Sequence, residues 1–437
     1  MNAEVRAIKT PAEQALSAAY EGARATLPGK GGIANLRADA FKQFETQGLP
    51  HRRVEEWKYT DLRALMRDAY PLAPPPDKTA KARAKDAGKV LAGVDCRRLV
   101  FVDGAFAPEL SDLKPEPGLT IGSLAEGLAK GDALVADHVG KTFQTDDAAV
   151  ALNTALMGDG AVIRIDKGAA IERPIHLIFA TGADKPSSVF TRSLIVVGEG
   201  AKATIIEDHD SGSAQVNAAL ELVAGDASQV DYFKITRSNA LHVASLLASV
   251  GAKAEFNTFA FTADVNVVRN QNFIRFAGEG THAGMRGVSL LRGKQHADTT
   301  LLIEHAAGHC ESREQFRAVL DDEAHGVFQG KIVVKPHAQK TDAKMMTRSL
   351  LLSDQAEADN KPELEIFADD VVCGHGATTS APDEALKFYL MSRGIHEAEA
   401  EALLIQAFIG ETVEEIAHEG IREALMNAAL QWLGARG

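Results

Sequence analysis

Cysteine is scarce in this sequence: Cys96, Cys310 and Cys373 are the only three in 437 residues. An odd set this widely separated is no disulfide framework and fits a reducing compartment, so a cytoplasmic location is expected. No Cys-x-x-Cys pair occurs, so the chain alone does not supply the four thiolates that normally hold a metal cluster or a structural zinc. Aromatic residues are also few, at 6 %. Long apolar runs are missing, and none approaches the ~18 residues that span a bilayer. The first twenty residues carry Glu4, Lys9 and Glu13 with no apolar stretch between them, so no secretory signal is expected. Positive charge is outweighed, giving a formal net charge of −13. That balance argues against wrapping nucleic acid or docking on anionic lipid. Enzyme signatures are absent too. There is no phosphate-binding P-loop, no G-x-S-x-G elbow, no H-E-x-x-H, and Gly278-Glu-Gly280 lacks the third glycine of a dinucleotide fingerprint.

What is present falls into three textures. Residues 1–157 read as a mostly helical N-terminal domain. Ala12–Ala25 has few breakers, Ala34–Thr46 spaces Leu36, Ala40, Phe41 and Phe44 helically, and Asp146–Met157 forms a further helix. Inside it, Pro71, Pro74, Pro75 and Pro76 and the Lys/Ala/Asp-rich stretch to Lys89 have linker composition, so a linker is expected near 70–89. From 158 to 380, short β-type runs recur, such as Val162–Ile165, Ser193–Val197, Asn272–Phe276 and Lys331–Val334. Long helix-period segments are missing there. A β region of this length without hairpin turns predicts a β-solenoid, although no fixed repeat stands out. A solenoid needs covered ends, which helical flanks on both sides would supply. Residues 381–437 read as a C-terminal helical domain. Pro382-Asp383-Glu384 starts one helix and Arg393-Gly394 closes it. Gly410 ends a second helix, and Thr412-Val-Glu-Glu415 reads as the capping box of the last. The stripe Ala417, Ile421, Leu425, Ala428 and Trp432 on that last helix reads as ordinary packing.

The most informative segment is Leu364–Thr379, with Cys373-Gly-His375-Gly at its centre. Strand alternation puts Cys373 and His375 on one face, roughly 7 Å apart at Cα. Gly374 and Gly376 leave the other face bare, so another backbone can approach. A thiolate and an imidazole side by side suit iron, copper(I) or zinc rather than magnesium or calcium. Two ligands do not make a metal site; the remainder must come from elsewhere in the fold or from another chain. The competing reading is a buried structural cysteine beside a hydrogen-bonded histidine. His305-Ala-Ala-Gly-His309-Cys310 is a second cluster, expected to put both histidines on one side, with a structural role because no further ligands follow. Asp208-His209-Asp210 reads as a solvated loop.

Ser312–Phe316, Gly326–Gly330, Ala338–Thr341, Leu350–Asp354, Lys361–Ile366, Ala368–Val371, Cys373–Thr378 and Phe388–Ile395 form an ordered series of blocks. Together they resemble the SufB/SufD family of iron–sulfur cluster assembly proteins of the SUF system. The N-terminal Arg52–Thr60 segment and the lack of extra cysteines are similar to the SufD branch rather than the SufB branch. The resemblance implies a mainly β fold: a right-handed parallel β-helix core flanked by N-terminal and C-terminal α-helical domains. It implies a non-catalytic scaffold that pairs with SufB through β-helix edges and docks the ATPase SufC on its C-terminal helices. It further implies that His375, with Cys373 as its companion, contributes to a transient iron–sulfur cluster shared with SufB, with no tightly bound cofactor. A homodimer of the chain alone is compatible with the same edges. Two alternatives remain: a purely structural subunit that offers no ligand, and a β-helix enzyme acting on polysaccharides, which the low aromatic content disfavours.

Overall fold

The runs of alternating residues between 161 and 380 do wind into a parallel β-helix. A computed structural model describes residues 9–212 and 214–435, so Glu4 and its neighbours lie outside the described residues. Each coil gives one strand to a ten-stranded sheet and one to a nine-stranded sheet, and strands adjacent in a sheet are next-but-one in sequence. Period-two alternation sends every second side chain into the lumen between the sheets. Leu177, Ile195, Leu222, Phe256, Phe276, Ile303 and Ile332 form that inner core, each almost wholly buried. The coil length drifts. Leu241 lies beside Val267, Val267 beside His296 and His325 beside Glu357, so the residues per coil climb from 26 to 29 and then 32. A repeat that lengthens along the chain leaves no constant period in the sequence.

The two ends differ. At the N-terminal end the ten-stranded sheet finishes with Ala105–Phe106 antiparallel to Arg97–Val102. The nine-stranded sheet finishes with Leu119–Ser123 antiparallel to Ala161–Ile165. Phe101 plugs this end, stacked on Phe179 at 4.8 Å and beside Phe106 at 5.1 Å. These strands lie within the expected helical domain, where they continue the solenoid's two sheets. At the C-terminal end the parallel strands Glu357–Ile366 and Val372–Ser380 are the last of their sheets, and no residue of either strand is fully buried. The expectation that helices cover both ends therefore fails at this one. The helix Glu384–Ser392 buries none of its residues, with Leu386, Phe388, Tyr389 and Met391 all exposed.

The later C-terminal helices, Glu397–Val413 and Glu419–Gly434, lie instead on the outer face of the ten-stranded sheet. There Ile405, Ile409, Ile421, Leu425 and Trp432 pack with Phe259, Phe261, Val288 and Val319. Ile421, Leu425 and Trp432 of the predicted stripe are thus packing, with Ala428 partly buried beside them, but Ala417 is exposed ahead of the helix and the helix boundaries shift. Gly410, Thr412 and Val413 are buried within the first of these helices, so Thr412–Glu415 is not a capping box. The ring of His418, whose Nδ1 accepts from the Ile421 amide at 3.3 Å, caps the next helix. The 70–89 stretch also departs from a solvated linker. Asp77 caps a short helix, Lys78–Ala84, whose Ala80 and Ala84 are buried with Val100, Val102 and Ile178.

Whereas Lys78–Ala84 lies against the ten-stranded sheet, the helices Gly32–Gln47 and Ala148–Leu156 sit on the outer face of the nine-stranded sheet. Trp57 is the pin: its indole N–H donates to Asp147 Oδ2 at 2.8 Å, and the Arg269 guanidinium lies 4.0 Å from its ring. Arg269 in turn pairs with buried Asp298 and donates to the Glu56 carbonyl at 2.7 Å. A buried charge pair holds only when its other hydrogen bonds are made, as they are here.

Candidate functional site

The Cys373–Thr378 block forms the outermost strand of the ten-stranded sheet. Val372–Ser380 runs parallel to Asp342–Leu351, with Cys373 beside Ala343 and His375 beside Met345. Both side chains fall on the lumen-facing register, because Ala343 and Met345 belong to the inner core and Cys373 packs against it. On the opposite face Gly374 has nothing within 4 Å of where a Cβ would stand, but at Gly376 a Cβ would meet the Met346 methyl at 2.8 Å, so that face is open at Gly374 and covered by Met346 at Gly376.

Position in the coil separates the two groups chemically. Cys373 is half-buried, and burial, reinforced by Asp342 and Glu314, pushes its thiol above the usual range. The sulfur is therefore a protonated thiol that becomes a ligand only when a cation displaces the proton. His375 is exposed and makes no hydrogen bond or ion pair among the described residues. The alternative of a hydrogen-bonded histidine beside a buried cysteine does not fit that ring, nor a cysteine that is only half-buried. Among the described residues no three His, Cys, Asp or Glu side chains gather closely enough to hold a metal ion. Cys373 and His375 therefore gain no third ligand among the described residues.

The other candidates separate. His305 ends its strand in the lumen, Nε2 lying 3.1 Å from Ser312 Oγ, and burial pushes its pKa down to about 4. His309 sits in the following turn at φ +58, so the two histidines do not share a side. Cys310 is buried, its thiol 3.4 Å from the Gly278 carbonyl, and burial raises its pKa. Burial likewise holds the Cys96 thiol at about 11.

Asp208-His209-Asp210 is not a loop. It lies in the strand Lys202–Ser211, with Asp208 paired to His176 and His209 fully buried. His209 belongs to an interior polar group that the sequence did not reveal. Glu207 takes hydrogen bonds from Tyr232 at 2.6 Å and Lys234 at 2.8 Å and contacts His209. Burial alone would raise the Glu207 pKa, but Lys234 and His209 outweigh it and hold the carboxylate ionised. Near the open end lies a second missed acid, Glu314. It is wholly buried, neither carboxylate oxygen has a partner, and burial pushes its pKa up to about 8. An acid in a β-run reads as solvent-facing; alternation with Ser312 and Phe316 was the one signal that it faces inward.

Comparison with known proteins bears on this arrangement. The SufBD core domain of the SUF iron–sulfur cluster assembly system matches residues 179–408, and the SufBD N-terminal region matches 12–177. The chain belongs to the SufB/SufD family. A SufBD-family iron–sulfur cluster assembly protein of Synechocystis is 31 % identical over 401 residues, covering 88 % of this chain and 87 % of that protein. The iron–sulfur cluster assembly protein SufD of Escherichia coli is 28 % identical, covering 88 % of this chain and 90 % of its own. SufD of Bacillus subtilis is 27 % identical over 90 % of this chain and 92 % of its own. The family assignment spans both the N-terminal layer and the solenoid, and it places the chain in iron–sulfur cluster assembly. No helix among the described residues is long and apolar enough to cross a membrane.

Proposed function

We propose that this SufB/SufD-family chain is a non-catalytic scaffold that completes a nascent iron–sulfur cluster site together with a second subunit, SufB, at the open end of its β-helix. One observation carries the reading: His375 stands exposed, its ring unpartnered, beside Cys373 on an edge strand that nothing among the described residues covers. An imidazole and a neutral thiol are too few to hold iron and sulfide, so co-ligands have to come from across that edge. Each sheet has one free edge here. In the nine-stranded sheet it carries Pro362, which lacks an N–H and blunts strand addition. The Val372–Ser380 edge has no proline and is the better template for a partner strand. In isolation the same edge is available to a second copy of the chain.

The exposed apolar face of the Glu384–Ser392 helix supports docking of a further protein, SufC, whose ATP hydrolysis would drive opening at the SufB contact. Arg317 ties the C-terminal helices to the ten-stranded sheet, pairing with Glu411 and donating to the Phe408 carbonyl. Movement of those helices therefore pulls on a strand two places from His375. The family's setting and the sparse cysteines favour the cytoplasm.

The test is co-expression with SufB and SufC, followed by size determination and iron and sulfide content of the complex. His375→Ala is expected to leave the complex intact and to abolish cluster formation. Full cluster content in the variant would remove the ligand role, leaving a purely structural subunit.

A further inference from the structure

The lumen changes character over its last two coils. Register stacks Ala318, Ser349 and Thr379 in one inward-facing column of the ten-stranded sheet, and Phe316, Thr347 and Ala377 in the column beside it. Across the lumen, Phe328 and Asn360 share a column of the nine-stranded sheet. One rung in from the rim the two sheets meet through aromatic rings, with Phe316 and Phe328 4.8 Å apart. At the rim an amide takes the place of the phenyl group, and hydroxyls face it. Asn360 Nδ2 donates to Ser349 Oγ and to Thr379 Oγ1, each at 3.3 Å, and Asn360 Oδ1 accepts from the Thr347 hydroxyl at 3.0 Å. The two amide hydrogens thus reach successive rungs of the opposite sheet. Thr347 and Ser349 are buried, while Thr379 is exposed.

The bond to Thr379 matters because the Val372–Ser380 strand has a hydrogen-bonded neighbour on one side only. Among the described residues it is the only hydrogen bond that joins this strand to the opposite sheet. A polar side chain at a wet rim can leave its hydrogen bonds to water; this amide makes three within the chain. Thr379 also stands one residue before the strand ends, where the chain leaves for the Glu384–Ser392 helix, which buries none of its residues. We propose that Asn360 is a positioning residue for the strand that carries His375, an amide clamp across the lumen mouth that holds Val372–Ser380 as a preformed edge for the strand of a second subunit. An untied edge strand frays from its free end, and a partner that pairs with it has to order it again on binding. With the clamp made, the edge is ordered before the partner arrives. The clamp acts on His375 through Thr379 and the backbone between them, and movement of the exposed helix is damped before it reaches that imidazole.

This inference rests on the reading of the Val372–Ser380 edge as the place where a second subunit joins, and the experiment separates the two. Amide hydrogen exchange of the isolated full chain is followed by mass spectrometry in wild type, Asn360→Leu, Thr379→Val and Thr379→Ser. Asn360→Leu and Thr379→Val are expected to speed exchange in Val372–Ser380 about three- to tenfold, the effect of losing one hydrogen bond, with the inner strand Leu241–Val250 unchanged. Thr379→Ser keeps the hydroxyl and is expected to exchange as wild type does. Valine suits a strand as well as threonine, so faster exchange in Thr379→Val reports the lost bond and not a lost propensity. Association with SufB, measured on the same proteins, is expected to weaken about threefold in the two clamp-breaking variants and not in Thr379→Ser. Wild-type exchange in Thr379→Val overturns the clamp, and this exposed position carries the test on its own should Asn360→Leu fail to fold. Faster exchange with unaltered SufB association overturns the clamp's role in presenting the edge. Unaltered association in Val372→Lys overturns the edge reading itself, while the exchange of the isolated chain still decides the clamp.

Discussion

The two ends of the β-helix are built from the same coil and finished in opposite ways. At the N-terminal end, antiparallel strands turn the sheets closed and Phe101, Phe106 and Phe179 fill the lumen. At the C-terminal end, Val372 is 61 % exposed, Phe367 59 %, and the lumen-facing pair Cys373 and His375 is left at the rim. An apolar rim and a free parallel edge are costs that a monomer does not normally carry. The contrast separates an end that the chain's own aromatic side chains close from an end whose apolar rim and strand edge stay free.

The largest expected effect lies at the open end and concerns function alone. His375→Ala should reduce cluster content of the co-purified complex to background while the chain's own melting temperature stays within error. A comparable loss of stability in that variant would mean the open end is structural after all. At the closed end the order reverses. Phe101→Ala should cost about 3–5 kcal/mol in denaturant unfolding, the usual range for a buried phenylalanine, whereas exposed Phe367→Ala should stay within about 0.5 kcal/mol. Equal costs at both positions would erase the distinction.

A third prediction concerns pH. The Glu314 carboxyl is pushed by burial from an ordinary value of 4.5 to about 8 in the folded chain. The unfolded chain therefore releases this proton first. Its contribution to stability is fully present below about pH 4.5, is lost as pH rises toward 8, and is flat beyond. The loss is on the order of a few kcal/mol, and Glu314→Gln should remove that part of the slope in unfolding free energy against pH. The smallest effect is the most local. Val372→Lys places a charge on the free edge and should weaken SufB association about tenfold, with the isolated chain's stability unchanged. Unaltered association would place the contact elsewhere.

How far the sequence foretold this contrast depended on which side chains carried it. The Cys373–His375 strand was legible because β-branched neighbours and alternate glycines fix both its conformation and its bare face. The β-helix was legible as texture, but its lengthening coils concealed the repeat. Polar residues in the lumen are not legible, since Asp208-His209-Asp210 reads as a loop until the neighbouring strand supplies Tyr232 and Lys234 to Glu207, the partner of His209. Gly410 reads as a helix end because glycine often is one; in the fold it is buried within the helix, close to Met426. The uncovered C-terminal end was not foreseen, because helical composition does not say which surface a helix will cover.

The sealed N-terminal end has a consequence for assembly. A rod with two sticky ends adds units indefinitely and grows into a filament; a rod with one can only meet another rod end to end and stop. Short antiparallel strands at one end thus leave a single free end, and any end-to-end assembly through it would stop at a pair.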